Sequence, residues 1–282
     1  MNPRSAIRAA IQTLTDGGVA SPEHDAGELL AHVLGTDRSL LPLIDTVDDQ
    51  AAEAFDVLVQ RRAAREPLQH LVGRAHFRHL TLAVGPGVFV PRPETELLAG
   101  WAIGIVEHLQ APRVVDLCTG SGAIAGSIAT EMPHSSVYAC ELSPSAFAWA
   151  EQNLAGTGVE VICQDMAGAF TELDGTVDVV TCNPPYIPLE AWESVATEAR
   201  DHDPHLALFS GPDGLDAIRV LERRASHLLR PGGWLGVEHA DAQGEVVPAL
   251  FAATGRWTEI RDRVDLAGRP RFTTMKLADS SR

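Results

Sequence analysis

The sequence predicts an α/β protein: a doubly wound, mostly parallel sheet preceded by a small helical domain. Three observations carry this. Short apolar runs alternate with helix-length segments from Arg113 to Glu238, the pattern of βα units in a parallel sheet. Before Pro67 the apolar residues recur instead at helical spacing, without strand-like runs. Finally, successive strand ends carry glycines, acids and an Asn-Pro-Pro-Tyr tetrapeptide, at the edge where open α/β sheets bind ligands.

In the first 66 residues, Ile7, Ile11 and Leu14 share one helical face, and Gly17-Gly18 ends that helix. Ser21-Pro22-Glu23-His24 opens a second helix, with proline at its first position, and Leu29, Leu30, Val33 and Leu34 form its apolar stripe. A third covers about Asp48 to Arg65, with Ala52, Phe55, Leu58 and Val59 in phase. This domain reads equally as a docking module or as a structural cap. Residues 67–92, punctuated by Gly73, Gly85 and Gly87, read as a linker with a short β-hairpin. His76 and His79 fall on opposite faces of a strand there, which argues against a metal site.

Residues 93–282 hold the sheet. A helix runs from about Thr95 to Leu109, its first turn acidic as the dipole prefers. Strands follow at Arg113–Cys118, Ser136–Glu141, Glu160–Gln164, Val177–Cys182 and Trp234–Glu238, with helices at Ser121–Thr130, Pro144–Leu154 and Gly214–Leu229. Pro231-Gly232-Gly233 reads as a turn. Two further strand-like runs flank Gly268-Arg269-Pro270 as a closing hairpin, which brings the expected sheet to seven strands.

Composition narrows the partners. With 22 Lys plus Arg against 38 Asp plus Glu, the net charge is −16. Such a surface repels phosphate backbones, so a protein or small-molecule partner is expected rather than nucleic acid. The four cysteines, Cys118, Cys140, Cys163 and Cys182, stand singly, without metal or redox spacing, and read as reduced core residues. No apolar run approaches the roughly 18 residues of a membrane span, and Arg4, Arg8, Gln12, Thr13 and Asp16 interrupt any leader. A cytoplasmic monomer without membrane attachment or metal is the expectation.

The chemistry gathers at four strand ends. Asp116-Leu117-Cys118-Thr119-Gly120-Ser121-Gly122 joins the first strand to a helix whose free N–H groups suit an anionic or polar ligand. From Gly120 to Ala125 it also fits a dinucleotide fingerprint, so the loop alone does not separate a nicotinamide from S-adenosylmethionine. Glu141, nineteen residues after Gly122, reads as an acceptor for two ribose hydroxyls or as a solvated acid. Asp165 reads as a partner for an adenine amine, with Met166 beside the ring. Asn183-Pro184-Pro185-Tyr186 ends a strand apolar on both faces. Its prolines lack N–H donors and fix φ, which presents the asparagine amide and neighbouring carbonyls to an NH2 group, although Asn-Pro also begins ordinary turns.

Taken together, these motifs resemble the PrmC (HemK) family of class I S-adenosylmethionine-dependent methyltransferases. The likeness extends over nearly the whole chain: the helical domain, Gln69-His70-Leu71-Val72-Gly73 with Phe77, Pro91-Arg92-Pro93-Glu94-Thr95-Glu96, the glycine loop, Asn183 to Tyr186, Asp203-Pro204-His205-Leu206-Ala207-Leu208 before Gly211-Pro212-Asp213-Gly214, and Gly268-Arg269-Pro270-Arg271-Phe272. Three positions depart from it. Cys118 replaces a frequent glycine at a position taken to require a small side chain, Met166 an aromatic, and Asp203 a glutamate.

The resemblance implies a Rossmann-like fold and methylation of the glutamine side chain in the Gly-Gly-Gln motif of class I peptide chain release factors. It implies S-adenosylmethionine held by Asp116, Cys118, Thr119, Gly120, Ser121, Gly122, Glu141, Asp165, Met166 and Asn183, with S-adenosylhomocysteine as product. It gives Asn183, Pro184 and Tyr186 catalytic roles, with Pro185 completing the substrate contact. In that reading the Asn183 amide and Pro184 carbonyl hold the two amide protons and aim the nitrogen lone pair, since outright deprotonation is too costly for a side chain of near-neutral pKa. Two alternatives remain at this point: an amino-methyltransferase of adenine or cytosine in nucleic acid, and a non-catalytic cofactor-binding protein. Arg92 reads either as a cofactor contact or as a turn stabiliser, and Asp201 to His205 as loop architecture near the peptide groove.

Overall fold

Helix α1 (Pro3–Asp16) opens the computed structural model, which describes residues 2–279. Asn2 caps α1 by accepting the Arg4 and Ser5 N–H groups. Helices α2 (Pro22–Val33), α3 (Asp49–Ala63) and α4 (Leu68–Val72) follow. Leu14, Leu29, Leu30 and Phe55 are fully enclosed among them, each worth roughly 1.5–3 kcal/mol of burial. Asp25 and Arg62 pair within this cluster at 2.7 Å, with both side chains below 10% exposure.

Strands β1 (Arg74–Phe77) and β2 (Leu80–Ala83) form a separate two-stranded sheet. Then come α5 (Glu96–Val106), β3 (Arg113–Leu117), α6 (Ala123–Glu131), β4 (Ser136–Glu141), α7 (Pro144–Leu154), β5 (Glu160–Cys163) and β6 (Val177–Cys182). Short helices α8 (Thr197–His202) and α9 (His205–Leu208) precede α10 (Asp216–Leu228), β7 (Leu229–Glu238), α11 (Val246–Ala253), β8 (Trp257–Val264) and β9 (Pro270–Leu277).

The main sheet has seven strands in the order β5-β4-β3-β6-β7-β9-β8. Pairs from β5 to β7 are parallel, and the β8–β9 hairpin joins β7 antiparallel. Strand order reverses between β3 and β6, which opens a crevice beyond their carboxyl ends. β6 is enclosed on both faces, with Val177, Val179, Val180 and Cys182 at 0% exposure. That explains its unalternating sequence.

Three expectations need correction. The chain divides into two compact units: residues 1–74, 84–86 and 195–202 form one, and residues 75–83, 87–194 and 203–282 the other. Residues 67–92 are therefore shared between units rather than forming a free linker, because Leu71 is buried in the helical core. Pro231-Gly232-Gly233 lies inside β7, where a register shift between Val177 and Val179 accommodates it as a bulge. Cys163 is exposed, since β5 is an edge strand, so only Cys140 and Cys182 are enclosed core thiols.

Candidate active site

Register aligns the chemistry. Leu117 lies opposite Cys140 and Cys182, and Cys182 lies opposite Val237. The residues one step further, Cys118, Glu141, Asn183 and Glu238, therefore form a row along the carboxyl edge of four adjacent strands.

The glycine loop is held from behind. Asp116 is buried, its Oδ2 accepting from the Thr119 hydroxyl at 2.6 Å and its Oδ1 from the Thr181 hydroxyl at 2.8 Å. Thr181 faces Asp116 in register on β6, so one carboxylate ties the loop to both central strands. Burial pushes this carboxyl up to about 6 despite those bonds. Asn153 on α7 donates to the Ser121 carbonyl at 2.9 Å. Gly122 has φ +84, and a Cβ there would meet Leu154 at 2.8 Å, so only glycine allows this approach. In front, a Cβ on Gly120 would meet nothing within 4 Å, leaving room for a ligand against the loop.

Cys118 is the unusual member. Its φ is +59, in the left-handed region, so the position asks for glycine through its backbone conformation and not only through size. Its sulfur lies 3.9 Å from the Met166 sulfur. Met166 is buried in the turn that follows β5, and the exposed Asp165 beside it accepts the Ala167 N–H at 2.8 Å. Glu141 accepts the Gly120 N–H at 2.9 Å and the Ser143 N–H at 2.8 Å. Each of its oxygens keeps a second lone pair for a ligand hydroxyl.

The tetrapeptide follows directly on β6, the strand that pairs with β3 ahead of the glycine loop. Asn183 Nδ2 donates to Thr95 Oγ1 at 3.3 Å. The Tyr186 hydroxyl turns inward to Glu238 Oε1 at 3.5 Å, and burial pushes the phenol well above its usual range. Gln243 donates to the Tyr186 carbonyl at 3.1 Å while its own oxygen accepts the Ala240 N–H. Gly214, with φ +76, packs on the same carbonyl, where a Cβ would come within 2.3 Å. The backbone around Tyr186 is thus clamped from two later segments.

Thr95, Thr181, Asn153, Glu238 and Gln243 are site residues that motif reading misses. Glu238 was within reach, because a strand-end acid at β7 follows the same logic that singles out Glu141 at β4. Arg92 donates to Asp203 at 2.7 Å and lies over the Phe89 ring, which favours the structural role for it. Among the described residues, no group of three or more His, Cys, Asp and Glu is placed to hold a metal, and no helix is long and apolar enough to cross a membrane.

A doubly wound sheet of this strand order, with a glycine loop and acid facing an Asn-Pro-Pro-Tyr turn across the switch point, defines a class I, Rossmann-like methyltransferase. Residues 5–73 match the PrmC N-terminal domain and residues 114–202 a methyltransferase domain. The release factor glutamine methyltransferase of Streptomyces coelicolor is 54% identical over 96% of this chain and 97% of its own length. That of Mycolicibacterium smegmatis is 49% identical over 96% of each. The chain belongs to the release factor glutamine methyltransferase family. A 4-amino-L-phenylalanine/4-methylamino-L-phenylalanine methyltransferase of Streptomyces pristinaespiralis is 47% identical over 73% of this chain and 72% of its own. The hMettl16 catalytic domain, 16% identical over 78% of this chain and 81% of that one, has a TM-score of 0.53, a likeness of fold alone.

Proposed function

We propose that this protein methylates the side-chain amide nitrogen of the glutamine in the Gly-Gly-Gln motif of class I release factors, with S-adenosylmethionine as donor. The observation that carries this reading is the position of Asn183, directly after the strand that pairs with the one ahead of the glycine loop, with its amide on Thr95 and the Tyr186 carbonyl held by Gln243. Its support from relatives extends through the helical unit as well as the sheet.

The residues present fit the donor. Gly120 leaves open space in front of the loop, Glu141 has acceptor capacity for ribose hydroxyls, and Asp165 with Met166 borders the adenine position. Asp116, with both oxygens engaged inside the protein, acts by holding the loop. When bound, the donor supplies an electrophilic sulfonium methyl: the N–CH3 bond forms as the S–CH3 bond breaks, and one amide proton passes to solvent.

Asn183 and the Pro184 carbonyl take the two N–H groups of the glutamine. An amide nitrogen is a poor nucleophile because its lone pair is delocalised, and two directed hydrogen bonds draw it toward tetrahedral geometry. Alignment of this kind supplies several of the roughly 7–11 kcal/mol available to a near-attack arrangement. With its hydroxyl turned to Glu238, Tyr186 offers its ring face to the substrate. The helical unit is the proposed docking module, and the expected setting is a cytoplasmic monomer that does not bind nucleic acid.

The S. pristinaespiralis relative gives one second reading, a small aromatic amine as acceptor. Incubation with labelled donor and, separately, release factor, DNA and 4-amino-L-phenylalanine discriminates among these, with mass spectrometry locating the methyl group. Asn183→Ala is expected to keep donor affinity within a few-fold and to lose transfer. Methyl on an adenine, or on the aromatic amine alone, overturns the assignment.

A further inference from the structure

Leaving the Asn183–Tyr186 turn, the chain enters a small aromatic platform. Ile187 forms a parallel bridge with Phe209. Its N–H donates to the Leu208 carbonyl at 2.9 Å, its carbonyl accepts the Ser210 N–H at 3.0 Å, and the Leu189 N–H donates to the Gly211 carbonyl at 3.0 Å. Phe209 therefore lies one strand spacing, about 4.8 Å, from the residue that follows Tyr186. A short 3-10 helix, Leu189–Ser194, then brings Trp192 onto Phe209, with the rings stacked at 5.4 Å between centroids and 29° between planes. His205 meets both rings edge-on, at 4.8 and 5.7 Å.

These rings are not an enclosed core. Trp192 is 36% exposed, Leu189 58%, and Leu206, next to His205, 52%. Leu189 and Trp192 stand three apart on the 3-10 helix, where such side chains eclipse, so they share one face. Exposed apolar surface of this kind marks interaction sites, and one already fixed by backbone bonds and ring stacking loses little freedom when a partner arrives. Glu190 and Glu193 are exposed on the same short helix. No Lys or Arg occurs from Asn183 to Val195 or from Asp203 to Ile218, so the surroundings are acidic.

The reach of a glutamine identifies the occupant. Its amide nitrogen lies only about 5 Å from its own Cα, so a polypeptide that delivers the amide to Asn183 brings its backbone down to the tetrapeptide. Residues two or three positions away, about 7–11 Å along an extended chain, then fall on the surface that starts beside Ile187. A free amino acid does not extend that far. We propose that Trp192 and Leu189, mounted on Phe209, form a docking platform for the polypeptide that carries the glutamine. It takes an apolar side chain within a few residues of the reacting amide, and Glu190 and Glu193 favour a positive charge beside it. The inference rests on the reading above that the acceptor is a glutamine within a protein, and it adds a specificity surface that the motif residues do not include.

The probe is purified class I release factor, with S-adenosylmethionine for turnover and S-adenosylhomocysteine for binding. Trp192→Ala should raise KM for release factor roughly 5- to 30-fold, the loss of one interface anchor, while the single-turnover rate at saturation stays within about two-fold. Trp192→Phe should recover most of the loss. Glu190→Lys combined with Glu193→Lys should raise KM at low salt, and the difference should shrink at high salt as screening takes over. A merely structural role would lower the melting temperature and the saturated rate together, without that salt dependence. In hydrogen exchange, bound release factor should slow the amides of 187–193 and 205–210. A wild-type KM in Trp192→Ala, or unprotected amides in a complex that still methylates, overturns the inference and leaves the proposed function standing. If the wild type neither binds nor methylates release factor, the proposed function falls and this assignment with it. A dimer that Trp192→Ala dissolves would give the surface to a second copy of the chain and overturn the docking role.

Discussion

Arg92 donates to Asp203 at 2.7 Å across 111 residues of sequence, and the carboxylate is fully enclosed while a third of the arginine side chain meets solvent. The pair ties the segment before α5 to the one before α9. Removing the arginine takes one charged partner from a buried carboxylate, a loss of roughly 1–3 kcal/mol given the exposure of Arg92. Arg92→Ala should lower the unfolding free energy from urea titration by that amount, and Arg92→Lys by less.

Cys118 holds a backbone conformation, φ +59, that costs a side chain about 1 kcal/mol relative to glycine. Cys118→Gly should therefore raise the melting temperature while preserving donor binding. A fall in melting temperature would mean that the sulfur contact with Met166 outweighs the strain.

Two enclosed carboxyls give the stability a definite pH dependence. Burial raises Asp116 from 3.8 to about 6 and Glu238 from 4.5 to about 7. In those windows the folded state keeps a proton that the unfolded chain has released. Each contribution is thus fully present below the unfolded value and is lost as pH rises through the folded one. For Asp116 the loss is on the order of 3 kcal/mol. Urea titrations of Asp116→Asn between pH 4 and 6 should show a flatter decline than the wild type, and an identical slope would refute the assignment.

Glu198 behaves oppositely. Burial alone would raise it, but bonds from Arg65, its own backbone and Arg62 hold it at about 2. Its contribution is present above 4.5 and disappears as pH falls toward 2. Arg65 donates to both of its oxygens, at 2.6 and 2.8 Å, and Arg62 at 3.2 Å. Glu198→Ala should raise amide exchange across Thr197–His202 at pH 7, while exchange in β3 and β6 stays unchanged.

The sheet and its four chemical strand ends were legible because each depends on short, local patterns: apolar runs, glycine spacing, an acid after a strand. What sequence hid depends on pairing. The Thr95 hydroxyl reads locally as a helix cap, and only the meeting of β6 with the start of α5 brings it to Asn183. Cys118 reads as a small substitute for glycine because φ is not written in residue type. Arg92 reads from sequence as a cofactor contact or a turn stabiliser, and its partner Asp203 comes from a segment 111 residues away. Cys163 looks like its sister cysteines, and edge position alone exposes it.

The shared membership of the two units has a practical side. The polypeptide passes between them five times, after Arg74, Ala83, Pro86, Ser194 and His202. No single cut separates them. A fragment starting at residue 75 would carry Glu198 without Arg62 and Arg65, and a fragment ending at residue 74 would lack Thr197–His202 altogether. Testing the two units separately therefore calls for point substitutions or for circular permutation, and a terminal deletion would report on a damaged unit rather than on an isolated one.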